Sequence, residues 1–288
     1  PMRCTFCFEH VLNREFNFKY LRRRSVDNVI EELRQAIALY PKIENINFWD
    51  NIFTMDKEWV KDFSVKYKKY INRPFFCYGH ASLIKDHEMI QALASAGLKY
   101  IFLGMQTGSE KIRREVYKRS ETNEDLLRAA RIIRQYAPNA ELRFDTIISE
   151  FETPETLKEG IQFLLKMPKP FKTNRNNMAY YLDFDITEMA LEKGFITKDD
   201  IASVNKNVRT QVATKETAEQ KPFVNYYYII GKRFVPNAFI KFCLDKGIET
   251  KYPNKFSKVQ GLVEYSETKA QQFKRLGYLI KNGEFGYV

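Results

Sequence analysis

Two cysteines near the start of the chain have the spacing that most clearly suggests chemistry. Cys4 and Cys7 form a Cys-x-x-Cys pair, with His10 as the nearest imidazole. The chain has two further cysteines, which stand alone in apolar or aromatic surroundings: Cys77 and Cys243. A structural zinc site usually takes four ligands, and a thioredoxin-like pair should open a helix, whereas residues 8–24 are predicted to form a basic, aromatic loop. The pair alone leaves zinc, redox and iron–sulfur readings open.

A second group of polar residues follows predicted strands, where parallel barrels carry their reactive groups. In chain order the group contains Asp50, Asn51, His80, Gln106, Thr107, Gly108, Ser109 and Asp145. Each has an ordinary alternative as a turn residue or a hydrogen-bonded loop histidine. Their common position at strand ends favours one shared site.

Alternating strand and helix patterns position these residues. Helices are predicted to begin at residues able to cap them, namely Ser25, Asp56, Asp86, Thr122 and Thr153. Strands are predicted over residues 44–49, 74–78, 99–104, 142–148 and 177–182. This repeated order implies parallel strands with right-handed crossovers. The predicted class is α/β, with a barrel or partial barrel favoured and a doubly wound open sheet as the alternative.

Beyond about residue 186 the strand–helix rhythm stops. Residues 203–222 are polar, and the remainder has helical patterns with many aromatic side chains. We therefore expect a separate helical region there.

Composition limits the class of protein. The 288 residues are 44% hydrophobic and 29% charged, as in an ordinary globular protein with a buried core. No apolar run reaches the ~18–20 residues of a membrane span, and no secretory signal is present. The net charge of +11 is spread along the chain, which favours a solvated surface over nucleic-acid binding. Four unevenly spaced cysteines predict a reducing, cytoplasmic setting. The first residue, Pro1, predicts a piece of a longer protein.

Residues 3–7, Arg-Cys-Thr-Phe-Cys, resemble the end of the Cys-x-x-x-Cys-x-x-Cys motif of the radical S-adenosylmethionine (SAM) superfamily. The first cysteine of that motif would fall directly before Pro1, and the aromatic Phe6 is also typical. Further segments look like members of that superfamily with a cobalamin-binding domain upstream: residues 24–33, 47–53, 104–113, 168–171 and 190–196.

This resemblance implies a fold and two cofactors. The fold would be a partial (β/α)6 TIM-like barrel over residues 1–200, lacking its first strand and leaving strand 44–49 at an open edge. Residues 201–288 would form a helical C-terminal extension, and a cobalamin-binding domain would lie upstream. Three thiolates, Cys4 and Cys7 among them, would hold a [4Fe–4S] cluster whose open iron takes SAM. An electron from the cluster would cleave SAM into methionine and a 5′-deoxyadenosyl radical.

The resemblance also assigns roles to residues by position. Asp50 and Asn51 would bind the SAM amino group, and Gln106 and Ser109 its ribose or carboxylate. The other implied cofactor-binding residues are Phe6, His80, Arg143, Asp145, and Asn176 or Tyr180. Two departures from the family pattern occur: Gln106 replaces a common Glu, and residues 147–152 replace a Gly-rich stretch.

The expected function is therefore a radical SAM enzyme core that works with cobalamin in methyl transfer or rearrangement. One alternative is a tRNA-modifying methylthiotransferase, and another is a basic nucleic-acid-binding domain with a zinc-bound cysteine pair. The expected partners are an unidentified small-molecule or peptide substrate and an electron donor such as flavodoxin or ferredoxin. A membrane partner is not expected, and a nucleic acid is disfavoured.

Overall fold

A parallel sheet organises the computed structural model, which describes residues 2–17, 22–206 and 217–282. Its strands are β1 (Ile46–Asn47), β2 (Phe75–Gly79), β3 (Leu98–Gln106), β4 (Glu141–Ile148) and β5 (Lys172–Asn177). They lie side by side in chain order, and every neighbouring pair is parallel. Because the order never reverses, the sheet is a half-barrel and not a doubly wound sheet. Within the described residues β1 pairs with β2 alone, so the expected edge position is confirmed.

Helices follow the strands and continue beyond the sheet. They are α1 (Phe8–Glu15), α2 (Val26–Leu39), α3 (Lys57–Tyr70), α4 (Glu88–Ala96), α5 (Glu110–Glu115), α6 (Asn123–Tyr136), α7 (Pro154–Leu164), α8 (Asp185–Glu192), α9 (Lys198–Lys206), α10 (Lys221–Ile229), α11 (Asn237–Lys246), α12 (Ile248–Lys251) and α13 (Pro253–Asn282). Short 3-10 turns occur at Phe53–Met55 and Ala81–Leu83. The helical C-terminal extension is thus confirmed. No helix among the described residues is long and apolar enough to cross a membrane.

Four of the five predicted helix starts are confirmed, because their capping side chains bind backbone N–H groups left open in the first turn. Asp86 is not the N-cap residue of α4, because the helix begins at Glu88 and His87 occupies that position. Ser25 and Asp56 each accept a hydrogen bond from the backbone three residues on, at 3.3 and 3.0 Å. Thr122 and Asp125 form a reciprocal capping box at the start of α6. Gly97 ends α4 with a φ of 110°, a left-handed conformation that favours glycine.

Two predicted segments are wrong. The last strand is β5 and not residues 177–182, because the polar run from Lys172 pairs with β4. The apolar side chains of Met178 and Tyr180, which suggested a strand, are instead buried in a second small core. Residues 8–24 were expected to form a loop, but α1 begins directly after Cys7.

Two hydrophobic clusters support the sheet. The larger one lies between one face of the sheet and the helices, and it includes side chains from α2, α3, α4, α6, α7 and α10. The smaller one gathers side chains between Val116 and Ile201 and is packed by Phe6 and Val11. It therefore lies beneath the cysteine loop. The domain boundary near residue 200 stays a prediction, because α10 follows that boundary in the chain but packs in the same cluster as the helices that precede it.

Candidate functional site

The cysteine loop is held by backbone and side-chain contacts of Thr5. This residue is buried; its N–H donates to the carbonyl of Tyr117 at 3.3 Å and its hydroxyl to that of Val116 at 2.8 Å. Its own carbonyl accepts from the N–H of Ile186 at 3.1 Å. The ring of Phe6 meets Tyr117 edge-on, with centroids 5.2 Å apart. The end of α5 and the start of α8 thus fix the loop on both sides.

The two thiols differ in their surroundings. Cys4 is 6% exposed, and its Sγ lies 3.8 Å from Nη1 of Arg119. Burial raises the pKa of the Cys4 thiol, while the Arg119 charge opposes that rise. Cys7 is half-buried and occupies the N-cap position of α1, without a capping hydrogen bond from its side chain.

Arg119 belongs to a buried charged group with Glu121 and His80. Nε of Arg119 donates to Oε1 of Glu121 at 2.7 Å, and Nη2 also contacts that oxygen. Nε2 of His80 lies 3.3 Å from Oε2 of the same carboxylate. Burial alone would raise the pKa of Glu121, but His80 and Arg119 outweigh it and lower that pKa to about 2. Glu121 is therefore ionised at neutral pH and compensates the Arg119 charge.

This group lines a cavity of about 200 Å³ at the carboxyl end of the sheet, together with the cysteine loop. The lining includes Cys4, His80, Lys118, Arg119, Ser120 and Glu121. Two further hydrogen bonds hold His80. Its backbone N–H donates to Oγ1 of Thr54 at 3.1 Å, and its ring atom Nδ1 lies 2.8 Å from Oγ of Ser82. One thiol and one strand-end histidine that the sequence singled out therefore share a cavity.

Gln106 lies next to this cavity in an unusual conformation. Its φ of 63° is left-handed, which is uncommon for a residue other than glycine and costs backbone energy. The β3–β4 register is irregular between Gly104 and Gln106. The Gln106 side chain lies over Gly104. The guanidinium of Arg119 lies beside it and donates to the Gly104 carbonyl at 3.0 Å. Gln106 thus lies beside Arg119, which lines the cavity.

The remaining predicted residues lie at varying distances from the cysteine loop. Asp50 and Asn51 are exposed on the loop after β1. Ser109 is fully buried, and its hydroxyl donates to Glu159 of α7 at 2.8 Å, on the helical side. Tyr180 is buried and donates to Glu150 at 2.7 Å.

Arg143 and Asp145 lie on β4, on the sheet face opposite the helices. Arg143 pairs with Glu141, and Oδ1 of Asp145 accepts from Asn174 at 3.0 Å. Burial raises the pKa of Asp145. Asn176 is exposed on β5.

Sequence reasoning missed Arg113, Arg119 and Glu121. Arg113 is fully buried and donates to the carbonyls of Met105 and Thr107 at 3.3 and 2.6 Å, which fixes the end of β3. Burial lowers its pKa to about 10, so it stays charged at neutral pH. All three lie in a polar stretch that looks like a solvated surface. Their only signal in the sequence was a position soon after the third strand.

Within the part of the chain that the structure describes, the cysteine pair is the candidate for metal binding. The described residues contain no group of three or more His, Cys, Asp or Glu side chains placed to hold a metal ion. His10 is engaged elsewhere, with Nε2 at 3.2 Å from Oδ2 of Asp185. Two thiols on one loop, near a cation and a helix N-terminus, suit a thiolate-bound cluster. They supply two of the three thiolates that the superfamily motif contains.

Comparisons with known proteins identify the family of the chain. A model of the radical SAM superfamily matches residues 1–164, more than half of the chain. The methyltransferase TsrM from Kitasatospora setae, solved with tryptophan and a SAM analogue, has a TM-score of 0.50 and 16% identity, over 59% of this chain and 33% of that one. The cobalamin-dependent SAM radical enzyme OxsB, with aqua-cobalamin and SAM, has a TM-score of 0.50 and 18% identity, over 86% and 34%. No curated protein matches the chain.

The chain belongs to the radical SAM superfamily, a class of enzymes that use a [4Fe–4S] cluster and SAM. It spans about a third of the length of both solved structures, whose likeness to it is one of fold. The superfamily expected from the cysteine spacing is confirmed.

Proposed function

We propose that this chain is the SAM-cleaving core of an enzyme that uses cobalamin for methyl transfer or carbon-skeleton rearrangement. The observation that carries the proposal is the Cys4 thiol, which opens onto a cavity shared with His80, Arg119 and Glu121. A bound cluster would supply the electron that cleaves SAM into methionine and a 5′-deoxyadenosyl radical. The chain itself supplies binding, orientation and exclusion of water.

Cys4 and Cys7 hold two irons in this proposal. The Arg119 guanidinium, 3.8 Å from Cys4 Sγ, opposes part of the rise that burial causes in the pKa of that thiol. Glu121 and His80 keep that guanidinium in place, and Thr5 keeps the loop in place.

SAM binds above the ends of the strands in this proposal. Its contacts come from the residues assigned by resemblance: Phe6, Asp50, Asn51, His80, Gln106, Ser109, Arg143, Asp145 and Tyr180. Gln106 has the strongest support among them, because its strained backbone turns a polar side chain toward Arg119.

Cobalamin is supported by the sequence segments that look like the cobalamin-associated branch. In addition, one solved structure of the same fold, that of OxsB, belongs to a cobalamin-dependent enzyme. The same proposal includes an upstream cobalamin-binding domain, a cytoplasmic setting, and flavodoxin or ferredoxin as electron donor. A small molecule or peptide is the substrate.

The test is formation of 5′-deoxyadenosine under a strong reductant. A chain with one cysteine added directly before Pro1 carries the complete three-cysteine motif, and we expect it to form 5′-deoxyadenosine after anaerobic reconstitution. Cys7→Ala should abolish formation. Cys77→Ala should retain it, because Cys77 is fully buried in the hydrophobic core and behaves as a small apolar residue. The proposal would be refuted if the chain with the added cysteine formed no product, or if its Cys7→Ala variant formed product in full.

A further inference from the structure

The sheet face opposite the helices carries a continuous set of aromatic rings. We call it the aromatic face; it consists of Trp49, Phe76, Tyr78, Tyr100 and Phe102. The ring centroids of Trp49 lie 5.3 Å from Phe76 and 5.8 Å from Tyr78, and Tyr78 lies 5.1 Å from Phe102. None of the five belongs to either hydrophobic cluster of the described residues. Trp49 is 71% exposed, and Phe76, Tyr78 and Tyr100 are half-buried.

Strand register explains how the rings become neighbours. Phe102 is opposite Tyr78 on one side and Arg143 on the other, and Phe76 is opposite Tyr100. Rings two residues apart on three adjacent strands cover an area of about 10 by 7 Å. That area matches a bicyclic or tricyclic ring system.

The chemistry of this face differs from that of an ordinary barrel interior. Barrel interiors are filled mainly by branched aliphatic side chains that interdigitate, whereas these positions carry flat rings. The guanidinium of Arg143 lies 4.6 Å from the Tyr100 centroid and 5.2 Å from that of Phe102, so a planar cation extends the stacking surface. Two cationic side chains, Arg143 and Lys172, lie here with two carboxyl groups, Glu141 and Asp145, so charge does not select the ligand.

The aromatic face is continuous with the candidate site. Gly104 and Asp145 follow Phe102 and Arg143 by two residues on the same strands and lie opposite each other. Two residues of a strand correspond to about 7 Å. A molecule on the rings would therefore lie one row from Gln106 and Arg119, which cover Gly104.

We infer that the aromatic face binds a planar conjugated ring compound as the substrate of the proposed enzyme. The inference of binding rests on the aromatic face alone. That the bound compound is a substrate rests on the proposed function. Ring stacking gives affinity, and the face places the ring system beside the site of SAM cleavage. Aliphatic compounds of equal size lack the stacking contribution.

The test measures binding alone, without cluster or SAM, so it is independent of the SAM-cleavage experiment. The probes are 2-naphthol and decahydro-2-naphthol, which share a carbon skeleton and a hydroxyl but differ in planarity. Ligand-observed saturation-transfer NMR on the 288-residue chain should give a dissociation constant at least about fivefold lower for 2-naphthol. Equal affinity for the two probes, or no binding of 2-naphthol, would overturn the inference.

Variants locate the binding. Trp49→Ala and Tyr78→Ala should each weaken 2-naphthol binding by roughly fivefold. Trp49 is exposed, so its removal should leave the fold intact, which circular dichroism checks. The matched control is Tyr70→Ala, which removes a 49% exposed ring from α3. If both variants of the face bind as the parent does, the probe binds elsewhere and the inference fails. Loss of SAM cleavage with binding intact would refute the proposed function and leave this site.

Discussion

Glu121 shows how a single buried carboxylate organises the cavity. It is 1% exposed, and it joins Arg119, which reaches Cys4, to His80, which reaches Thr54 and Ser82. A buried charge is costly unless it is paired, and here two partners compensate it. The position of the Arg119 guanidinium beside the cysteine loop therefore depends on Glu121.

We predict that Glu121→Gln destabilises the protein. The substitution leaves the buried Arg119 without its counter-charge, and removing one member of a buried pair costs about 3 kcal/mol. Urea unfolding at pH 7 measures the free energy. The control is Glu124→Gln, an exposed residue of α6, which should change it by less than about 0.5 kcal/mol. A loss from Glu121→Gln as small as that of the control would show that the pair does not stabilise the fold.

At the scale of secondary-structure elements, α7 closely approaches the turn that precedes α5. A Cβ on Gly160 would lie 2.5 Å from the hydroxyl of Tyr227 and 3.3 Å from Cα of Gly108. Tyr227 is buried in the larger core, so its ring has little room to move. The close approach of α7, α5 and α10 thus requires a glycine in the middle of a helix.

We therefore predict opposite effects for two helical glycines. Gly160→Ala should destabilise the protein by about 1–3 kcal/mol, because overpacking outweighs the better helix propensity. Gly261→Ala, in α13, meets nothing within 4 Å and should stabilise the helix by up to about 1 kcal/mol. Thermal unfolding of both variants makes the comparison. An equal gain in stability at both positions would show that the approach of the helices is looser than described.

The loop between β4 and α7 carries a buried carboxyl that is sensitive to pH. Glu152 is 3% exposed; its Oε1 accepts from the hydroxyl of Thr107 at 2.5 Å, and its carbonyl accepts from Gln220, next to α10, at 2.6 Å. Burial raises the pKa of Glu152 to about 8. The folded protein therefore keeps a proton that the unfolded chain releases near pH 4.5.

From this we predict stability that falls as pH rises. The contribution of Glu152 is complete below pH 4.5 and is lost between pH 4.5 and about 8, at a limiting slope of about 1.4 kcal/mol per pH unit. Glu152→Gln cannot lose a proton, so it should exceed the parent in stability at pH 8 and flatten the profile. Urea unfolding at pH 5 and pH 8 tests this, with the exposed Glu44→Gln as control. A parallel pH profile for Glu152→Gln and parent would refute it.

Elements with local signals were predictable from the sequence. Caps such as Ser25 and Thr122 act within one helical turn, so their residue types reveal the helix starts. β5 and α1 were not predictable. In the case of β5 the reason is that a polar strand forms here by pairing with β4. The apolar residues after it pack into the smaller core.

At the scale of the whole molecule, the sequence revealed the half-barrel and the cysteine loop but not the charges around that loop. Repeated strand–helix units suffice for parallel order. The superfamily could be predicted from the cysteine spacing together with several further segments that resemble its members. Arg119 and Glu121 looked like exposed residues of a charged run. They are buried because they contact the cysteine loop and the ends of β2 and β3, and such contacts join residues far apart in the chain, as between Cys4 and Arg119.

The completeness of the thiolate set leads to a prediction for the whole chain. Cys4 and Cys7 are the two cysteines on the loop, whereas Cys77 and Cys243 are buried in the larger core. Because a [4Fe–4S] cluster with one open iron takes three thiolates, residues 1–288 alone should lose iron during anaerobic gel filtration after reconstitution. A variant with a cysteine directly before Pro1 should retain about four iron atoms per chain, and a variant with serine there should behave as the parent does. Stable retention of four irons by the parent or the serine variant would show that a residue other than a third loop cysteine completes the site.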